Sequence, residues 1–485
     1  GYIVGIGWSG QWEAACDKQD GQVRVTAGMT DSNFYLMPGE DVMQPSTLLI
    51  PWEGEPQDAQ NELRRHMLMH HTPRKADGSL PLGPVSFGAW GGSDAQTHLD
   101  NIKAVTNKKM GYDVYWIDAG WTGGENEISL NTFDDVWYRN AGNWRVVPSL
   151  YPQGMRQVAD AARDAGMGML LWFEPERAYA GTDMVRQHAK WLLSSNQNAN
   201  NFIFNLGNPE ARAWLTAYVS SLIQEYGVTV YRQDFNIEPL AYWRQKDAST
   251  RRGVTEMKYI EGLYLYWDGL LAACPGLMID NCASGGRRLD FMALSRSVSL
   301  FRSDYACYAD TSTGEGNQME VYGLNYWLPI TGTTSMGKTD AYNFRSTYGF
   351  AMQTPNTISQ YRAQRTLIEE FRRARLYFYG DYYPLVACTE EIDDWFAYQM
   401  HRTDLDEGFV CAFRRLRAED DRQTLFLSGL TPDAAYRLTL SDPEEEKEGG
   451  ETLTMTGREL MEDGFTVVID RTKSSALYFY EQINP

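Results

Sequence analysis

The sequence predicts an α/β fold: a (β/α)8 barrel of the TIM type, flanked by an N-terminal β-sandwich remnant and a C-terminal antiparallel β-sandwich. Two observations predict the barrel. Between residues 83 and 385, short apolar segments alternate with amphipathic segments of helical period, as in parallel strands joined by helices. Polar residues follow nearly every apolar segment, and barrels place their chemistry at the carboxyl ends of their strands. A doubly wound open sheet is the alternative, and this distribution of polar residues favours the barrel.

The length of the chain, 485 residues, exceeds that of one ordinary domain. Its first segments are rich in β-formers but too few to bury two sheet faces, and the chain begins at Gly1 without a methionine. We therefore expect further sequence upstream of Gly1. The predicted organisation has four parts: 1–56, the tail of an N-terminal β-sandwich domain; 57–82, a linker with a helix; 83–385, the catalytic (β/α)8 barrel; and 386–485, a C-terminal β-sandwich domain.

Eight apolar segments are predicted to be the barrel strands. Helices between them are marked by end signals, such as Asn208 and Pro209, which match an N-cap followed by proline at the first helical position. Gly227 matches the end of the same helix. The predicted strands are 85–90, 112–118, 167–174, 202–206, 228–231, 277–280, 299–302 and 331–336.

After about residue 385 the helical period fades, and an alternation of period two replaces it. This pattern, with turn residues between the segments, is typical of antiparallel strands. The predicted strands of the C-terminal sandwich are 408–413, 423–427, 436–440, 465–469 and 475–480.

The formal net charge of −20 at pH 7 argues against nucleic acid and anionic membranes as partners. No segment reaches the about 20 uninterrupted apolar residues of a membrane-spanning helix. The six cysteines form no CxxC pair, and the histidines form no HExxH motif. We therefore expect no metal, no cofactor, no nucleic-acid partner and no membrane span. The sequence leaves a homo-oligomer and the cellular compartment open.

Carboxylates, indoles and guanidinium groups gather at the predicted strand ends, a mixture typical of carbohydrate sites. Sugar faces stack on aromatic rings, and sugar hydroxyls bond to carboxylate, amide and guanidinium groups. Asp234 and Asp290 are the catalytic candidates, because an unpaired carboxylate buried after an apolar strand is costly and glycosidic cleavage needs two such groups. Asp280 fits a structural hydrogen-bond acceptor or a ligand equally. Cys282 has no histidine in its motif, which favours a packed or sugar-contacting thiol over a nucleophile.

Four stretches of the chain carry a resemblance to a known family. They are 172–176 (Trp-Phe-Glu-Pro-Glu), 206–210 (Leu-Gly-Asn-Pro-Glu), 232–236 (Arg-Gln-Asp-Phe-Asn) and 282–290 (Cys-Ala-Ser-Gly-Gly-Arg-Arg-Leu-Asp). Together with the order of the domains, they resemble the melibiase-type α-glycosidases of glycoside hydrolase family 36 over nearly all of the chain.

The resemblance implies a retaining, exo-acting α-glycosidase of the α-galactosidase type, which hydrolyses terminal α-linked galacto-configured sugars by double displacement. It implies Asp234 as the nucleophile, Asp290 as the acid/base and a carbohydrate as the partner. The sugar contacts that we expect on this basis are Asp118, Trp172, Arg232, Asn236, Cys282, Ser284, Arg288 and Asp304.

The chain departs from the family pattern around the expected sugar pocket. One of the paired acids after the second strand is Ala119, the family's lysine is Arg232, and Ala283, Ser284 and Arg287 interrupt its glycine run. A pocket altered in this way could admit a 2-amino or 2-acetamido group. An α-galactosaminidase or α-N-acetylgalactosaminidase is therefore the alternative, and a transglycosylase or a non-catalytic sugar-binding relative stays open.

Overall fold

The computed structural model describes residues 1–123, 136–307, 312–355, 358–442 and 450–483. Its N-terminal elements are β1 (Tyr2–Gly7), β2 (Trp12–Gln19), β3 (Gln22–Met29), β4 (Asn33–Phe34), β5 (Ser46–Pro51) and α1 (Pro56–His70). β1 pairs antiparallel with β5, and β2 with β3, as two separate two-stranded sheets. α1 begins with a proline, whose missing N–H is not needed in the first helical turn.

The central elements alternate between strands and helices over most of their length. They are β6 (Val85–Ala89), α2 (Ala95–Asn107), β7 (Val114–Ile117), α3 (Arg156–Asp164), β8 (Gly168–Phe173), β9 (Arg177–Tyr179), α4 (Asp183–His188), β10 (Leu192–Ser195), β11 (Asn198–Phe204), α5 (Pro209–Tyr226), β12 (Val230–Gln233), α6 (Leu240–Lys246), β13 (Arg251–Arg252), α7 (Val254–Ala273), β14 (Met278–Asn281), α8 (Phe291–Leu294), α9 (Thr313–Leu324), β15 (Gly332–Thr334), α10 (Ala341–Arg345), β16 (Ala351–Pro355) and α11 (Tyr361–Ala374).

Seven of these strands form one parallel sheet in the order β14-β12-β8-β7-β6-β16-β15. Val298 forms a parallel bridge with Asp280 of β14, and Ser299 forms one with Thr331 beside β15. Residues 298–299 therefore occupy the sixth strand position and close the sheet into a barrel. The predicted barrel fold is confirmed.

One predicted barrel strand is wrong, and one barrel strand of the structure was not predicted. The prediction of a barrel strand at 202–206 is wrong, because β11 pairs antiparallel with β10 and β9 in a separate sheet. A polar turn at residues 196–197 folds β10 and β11 into a hairpin, so their backbone groups are paired outside the barrel. The eighth barrel strand is β16, whose buried Thr354 shares a hydrogen bond of 2.6 Å with Tyr112. Because β16 contains polar residues and ends in a proline, a search for apolar segments does not find it.

Side chains along the barrel strands alternate between the inside and the outside of the barrel. Val114, Trp116 and Val230 belong to the cluster inside the barrel, whereas Tyr115 and Tyr231 belong to the cluster that includes the surrounding helices. The inward row of each strand continues past the apolar interior and ends at the mouth of the barrel. On each strand, the next inward-facing residue after the apolar interior, two positions further along the chain, therefore reaches a site at the mouth of the barrel.

The C-terminal elements are β17 (Asp381–Val386), β18 (Trp395–Arg402), β19 (Glu407–Arg414), β20 (Arg422–Leu425), β21 (Ala435–Ser441), β22 (Thr452–Thr456), α12 (Gly457–Glu462), β23 (Phe465–Val468) and β24 (Ser474–Ile483). Six strands form an antiparallel sheet in the order β17-β18-β19-β24-β21-β22, and β20 pairs with β23. Leu425 and Val467 of the smaller sheet pack with Val410 and Leu438 of the larger one, as in a sandwich. Among the helices in the described part of the chain, none combines the length and the apolar character needed to cross a membrane.

Candidate active site

A cavity of about 530 Å³ lies at the carboxyl ends of the barrel strands. Six of the residues predicted from the sequence line it: Asp118, Arg232, Asp234, Asn236, Cys282 and Asp304. The other lining residues are Gly88, Trp90, Trp116, Trp137, Phe301, Cys307, Met336 and Gln353. The lining therefore combines three carboxylates, one guanidinium group and three indoles.

Asp234 follows β12 directly and accepts four hydrogen bonds. Its Oδ1 accepts from the backbone N–H groups of Phe235 and Ser284, each at 2.8 Å. Its Oδ2 accepts from Asn236 Nδ2 at 2.8 Å and from Trp172 Nε1 at 3.1 Å. Trp172 and Ser284 are not among the lining residues. Their hydrogen bonds instead orient the carboxylate of Asp234.

The electrostatic surroundings of Asp234 favour its ionised form. Burial raises the pKa of this carboxyl, but the charge of Arg232 and the donated hydrogen bonds outweigh burial and lower the pKa below its usual value. The result is a fixed, ionised carboxylate that faces the cavity. Such a group can act as a nucleophile or stabilise a positive charge.

Arg232, the last but one residue of β12, is held in one orientation. Its Nη1 donates to Asp280 Oδ2 at 2.5 Å, and its Nη2 donates to Cys282 Sγ at 3.0 Å. Its Nε lies 3.4 Å from Asp118 Oδ2, and its guanidinium carbon lies 4.5 Å from the ring centroid of Trp116. The site therefore contains a positive charge that cannot turn away from the cavity.

Asp280 is a structural acceptor, which decides between the two roles that the sequence leaves open. It is fully buried, and burial raises its pKa although Arg232 lowers it. Its Oδ1 accepts from the backbone N–H of Leu300 at 2.8 Å, while its Oδ2 accepts from Arg232. Leu300 follows the sixth strand position, so this one side chain connects positions four, five and six of the barrel.

One of the two backbone N–H groups that bond to Asp234, that of Ser284, comes from a tight turn at residues 283–286. Ser284 lies in the left-handed region, with φ 56°, and Gly285 follows with φ 76°. A Cβ on Gly285 would lie 2.5 Å from the backbone nitrogen of Asp304. Glycine at this position therefore lets the turn pack directly against the Asp304 segment.

Cys282 precedes this turn and is buried. Its sulfur accepts from Arg232 and from the backbone N–H of Gly285, the latter at 3.4 Å. Burial raises the pKa of the thiol well above its usual value, although the charge of Arg232 lowers it. A neutral thiol is a poor nucleophile, so the structure favours a packing or contacting role for Cys282.

Asp304 differs from the other carboxylates of the cavity in the hydrogen bonding of its carboxyl group. Its carboxyl group has no hydrogen-bond partner among the residues that the structure describes. Burial raises its pKa, the negative charge of Asp234 raises it further, and Arg232 only partly opposes both. Asp304 therefore keeps its proton to a higher pH than an ordinary carboxyl group and can donate it into the cavity.

The structure gives Asp290 a place other than the one predicted. Its Oδ1 accepts from the backbone N–H groups of Met292 and Ala293 at 3.0 and 3.1 Å, which makes it the N-cap of α8. Its Oδ2 accepts from Ser9 Oγ at 2.6 Å. Asp290 is not among the residues that line the cavity. An aspartate before an apolar helical turn is a capping signal, and that signal competes with the catalytic interpretation of the motif.

Arg288, a predicted sugar contact, is also directed away from the lining. Both of its Nη atoms donate to Glu176, at 2.7 and 2.9 Å. Gln233 Nε2 and the hydroxyl of Tyr259 donate to the same carboxylate, each at 2.7 Å. Glu176 is fully buried, so this network joins β12, α7 and the 282–290 segment beneath the site.

Replacing Glu176 with alanine should lower the free energy of unfolding by about 3–5 kcal/mol, because it leaves the buried guanidinium of Arg288 without its partner. Chemical denaturation measures this loss. The matched control is Glu238→Ala, which removes an ion pair with Arg287 whose glutamate side chain is 83% exposed. That change should cost less than about 1 kcal/mol, and equal losses in the two variants would contradict the role assigned to the network.

Some lining residues escape the sequence analysis, above all Trp137, Met336 and Gln353. Trp137 forms an edge contact with Trp172, its ring centroid 5.5 Å away, and Trp90 contacts Trp137 at 5.9 Å. Trp90 is 58% exposed and lies at the end of this row of indoles. Gln353 belongs to β16, so placing the eighth strand correctly would have put it in the inward row.

Two stretches of the sequence match phosphate-loop patterns without the structure of such loops. Residues 5–10 match GxGxxG and 332–339 match GxxxxGKT, patterns that bind phosphate when they join a strand to a helix N-terminus. The first stretch ends β1 and is followed by β2. After the second, the carboxylate of Asp340 occupies the N-terminus of α10 and accepts from Asn343 N at 2.9 Å, where it would repel an anion. Among the described residues, no group of three or more His, Cys, Asp or Glu is placed to hold a metal ion.

A parallel barrel whose mouth holds several carboxylates beside indole rings has the architecture of the barrel-type glycoside hydrolases. The chain belongs to the melibiase family: the family model Melibiase matches residues 61–310, and the glycosyl hydrolase family 36 C-terminal domain matches residues 395–480.

Relatives of this family are distant in sequence but alike in fold. Alpha-galactosidase Mel36A of Lactobacillus acidophilus is 21% identical, over 100% of this chain and 66% of its own length. An alpha-galactosidase of Escherichia coli is 28% identical over 62% of this chain and 42% of its own length. The solved alpha-galactosidase AgaA of Geobacillus stearothermophilus superposes with a TM-score of 0.81 at 19% identity, covering 100% of this chain and 67% of that one. The chain thus spans about two thirds of these relatives or less.

Proposed function

We propose that this chain hydrolyses terminal α-linked galactosides with retention of configuration. One observation carries the proposal: an ionised carboxylate, Asp234, and a carboxyl group with a raised pKa and no described hydrogen-bond partner, Asp304, line the same cavity. Retaining glycosidases require one carboxylate as nucleophile and one as acid/base. The relatives support a galactoside as the substrate, since they are alpha-galactosidases and solved variants of AgaA are in complex with raffinose and with stachyose.

The proposed reaction has two steps in which bonds and protons balance. Asp234 attacks the anomeric carbon as the glycosidic bond breaks, and Asp304 gives its proton to the departing oxygen. Asp304 then takes a proton from water, which attacks the same carbon and releases Asp234 from the glycosyl ester. Two inversions leave the configuration of the sugar unchanged.

In this proposal Asp304, rather than Asp290, is the acid/base, since Asp290 is occupied as a helix cap. Trp172 and Ser284 orient the nucleophile through their hydrogen bonds. The other polar lining residues that the sequence analysis expects to contact the sugar keep that proposed role: Asp118, Arg232, Asn236 and Cys282.

The pH profile of kcat/KM should be bell-shaped. Activity should rise with pH as Asp234 ionises, at a pKa below its usual value of 3.8, and fall as Asp304 loses its proton, at a pKa above 3.8. The Asp304→Asn variant should lose the alkaline fall when assayed with a dinitrophenyl galactoside, whose leaving group needs no proton. Asp290→Asn is the control and should keep both limbs. Loss of the alkaline limb in the control instead would contradict the assignment of Asp304.

A panel of 4-nitrophenyl α-glycosides tests the proposed activity. The α-galactoside should be the best substrate, and proton NMR should show the α-anomer of galactose as the first product. The α-galactosaminide and α-N-acetylgalactosaminide test the alternative substituents at carbon 2, and the α-glucoside tests the galacto configuration. A preference for the glucoside, or binding of every compound without release of nitrophenol, would contradict the proposal.

A further inference from the structure

We infer that Gln353 determines specificity by hydrogen bonding a sugar hydroxyl on the edge of the ring remote from the anomeric carbon. This inference rests on the proposed function, because it assigns a binding role within the same cavity. Among the carboxylate, amide and guanidinium groups that line the cavity, only those of Asp304 and Gln353 have no hydrogen-bond partner in the described part of the chain.

The strand position of Gln353 in the barrel indicates which edge of a bound sugar ring its side chain faces. β16 takes the eighth strand position and β12, which precedes Asp234, takes the fourth. In a closed barrel of eight strands these positions face each other across the mouth. The anomeric carbon of a bound sugar must lie beside Asp234, so Gln353 faces the opposite edge of the ring, where carbons 4 and 6 carry their hydroxyls.

Gly88 provides the space that the amide of Gln353 occupies. The Cα of Gln353 is paired with Ser86 in β6, and its side chain extends from there over Gly88. A Cβ on Gly88 would lie 1.7 Å from Gln353 Nε2 and 2.7 Å from its Cδ. The backbone of Gly88 is not in the left-handed region, so the missing side chain serves this close approach and not the chain conformation.

The chemistry of the amide fits a hydroxyl group better than a charged substituent. A glutamine side chain offers two donors and one acceptor without net charge, and a hydroxyl needs one of each. Gln353 is partly buried and faces a cavity that already holds three carboxylates. Its free amide can therefore pair with a neutral hydroxyl of a bound sugar, which leaves no buried polar group without a partner.

The test compares Gln353→Met, which keeps the length of the side chain and removes its hydrogen bonds, with the unaltered chain. On 4-nitrophenyl α-galactoside we expect kcat/KM to fall about tenfold, because the sugar hydroxyl loses a partner in a desolvated site. On one of the two analogues deoxygenated at carbon 4 or carbon 6, the unaltered chain and the variant should differ by less than about twofold. On the 2-deoxy analogue the tenfold difference should persist.

Gly88→Ala should give the same pattern, because its added methyl group displaces the amide while leaving Gln353 in the sequence. The matched control is Met352→Leu, an adjacent change of similar volume on the outward face of β16, which should alter kcat/KM by less than about twofold. Thermal unfolding of each variant checks that it is folded.

Two results would overturn the inference alone: full activity of Gln353→Met on the parent galactoside, or the same loss on every deoxy analogue. Absence of nitrophenol release by the unaltered chain would overturn the proposed function and this inference together.

Discussion

Replacing Asp234 with alanine should lower kcat/KM on aryl α-galactosides by a factor on the order of 10⁴ or more. The variant lacks the group proposed to form the glycosyl ester, while Trp172 and Asn236 lose the acceptor of their hydrogen bonds. Activity assays with purified protein measure this loss.

Addition of azide should restore part of the activity of Asp234→Ala and yield a β-galactosyl azide, because the small anion attacks from the face that the carboxylate leaves open. The control is Asp268→Ala, which removes a carboxylate that pairs with Arg296 at the surface and should keep full activity. An unchanged rate in Asp234→Ala, or an α-configured azide product, would remove Asp234 from the role of nucleophile.

Asp304→Ala should lower kcat by about 10³-fold on natural galactosides, whose leaving oxygen needs a proton, and much less on a dinitrophenyl galactoside. The contrast between the two leaving groups identifies an acid, because a merely structural change would lower both rates equally. Steady-state kinetics on both substrates provide the measurement.

Asp290→Ala is the comparison that separates the two candidates for the acid. This variant should lose about 1–2 kcal/mol of unfolding free energy, since it removes the cap of α8, and keep its selectivity between leaving groups. If instead Asp290→Ala shows the leaving-group dependence and Asp304→Ala does not, the assignment must be exchanged.

The sequence predicts the barrel and the C-terminal sandwich because both depend on periodicity, which is local. The sequence misplaces one barrel strand because β11 is as apolar as a barrel strand. In the structure β11 instead pairs antiparallel with β10 in a hairpin. The sequence overlooks β16 because the buried polar groups of that strand, such as Thr354, are satisfied by partners far away in the chain. Pairing over long distances cannot be read from an apolar pattern.

The residues of the candidate site also differ in whether local sequence is enough to predict them. Asp234 is found from the sequence because it ends an inward row directly after a strand. Asp290 is the wrong choice for the cavity because it lies beyond the turn at residues 283–286, whereas Asp304 follows the predicted strand 299–302 by two residues. Only the folded turn brings Asp304 to the cavity and leaves Asp290 at a helix end.

Asp280 does not line the cavity, yet its two oxygens connect two of the strands that lead to it. One oxygen binds the strand that precedes Asp234, and the other binds the strand that precedes Asp304. Retaining glycosidases need their two carboxyl groups about 5–5.5 Å apart, whereas inverting ones need about 6.5–9.5 Å. The hydrogen bonds of Asp280 therefore tie together the two strands that lead to the proposed nucleophile and the proposed acid/base, although Asp280 itself lies outside the reacting groups.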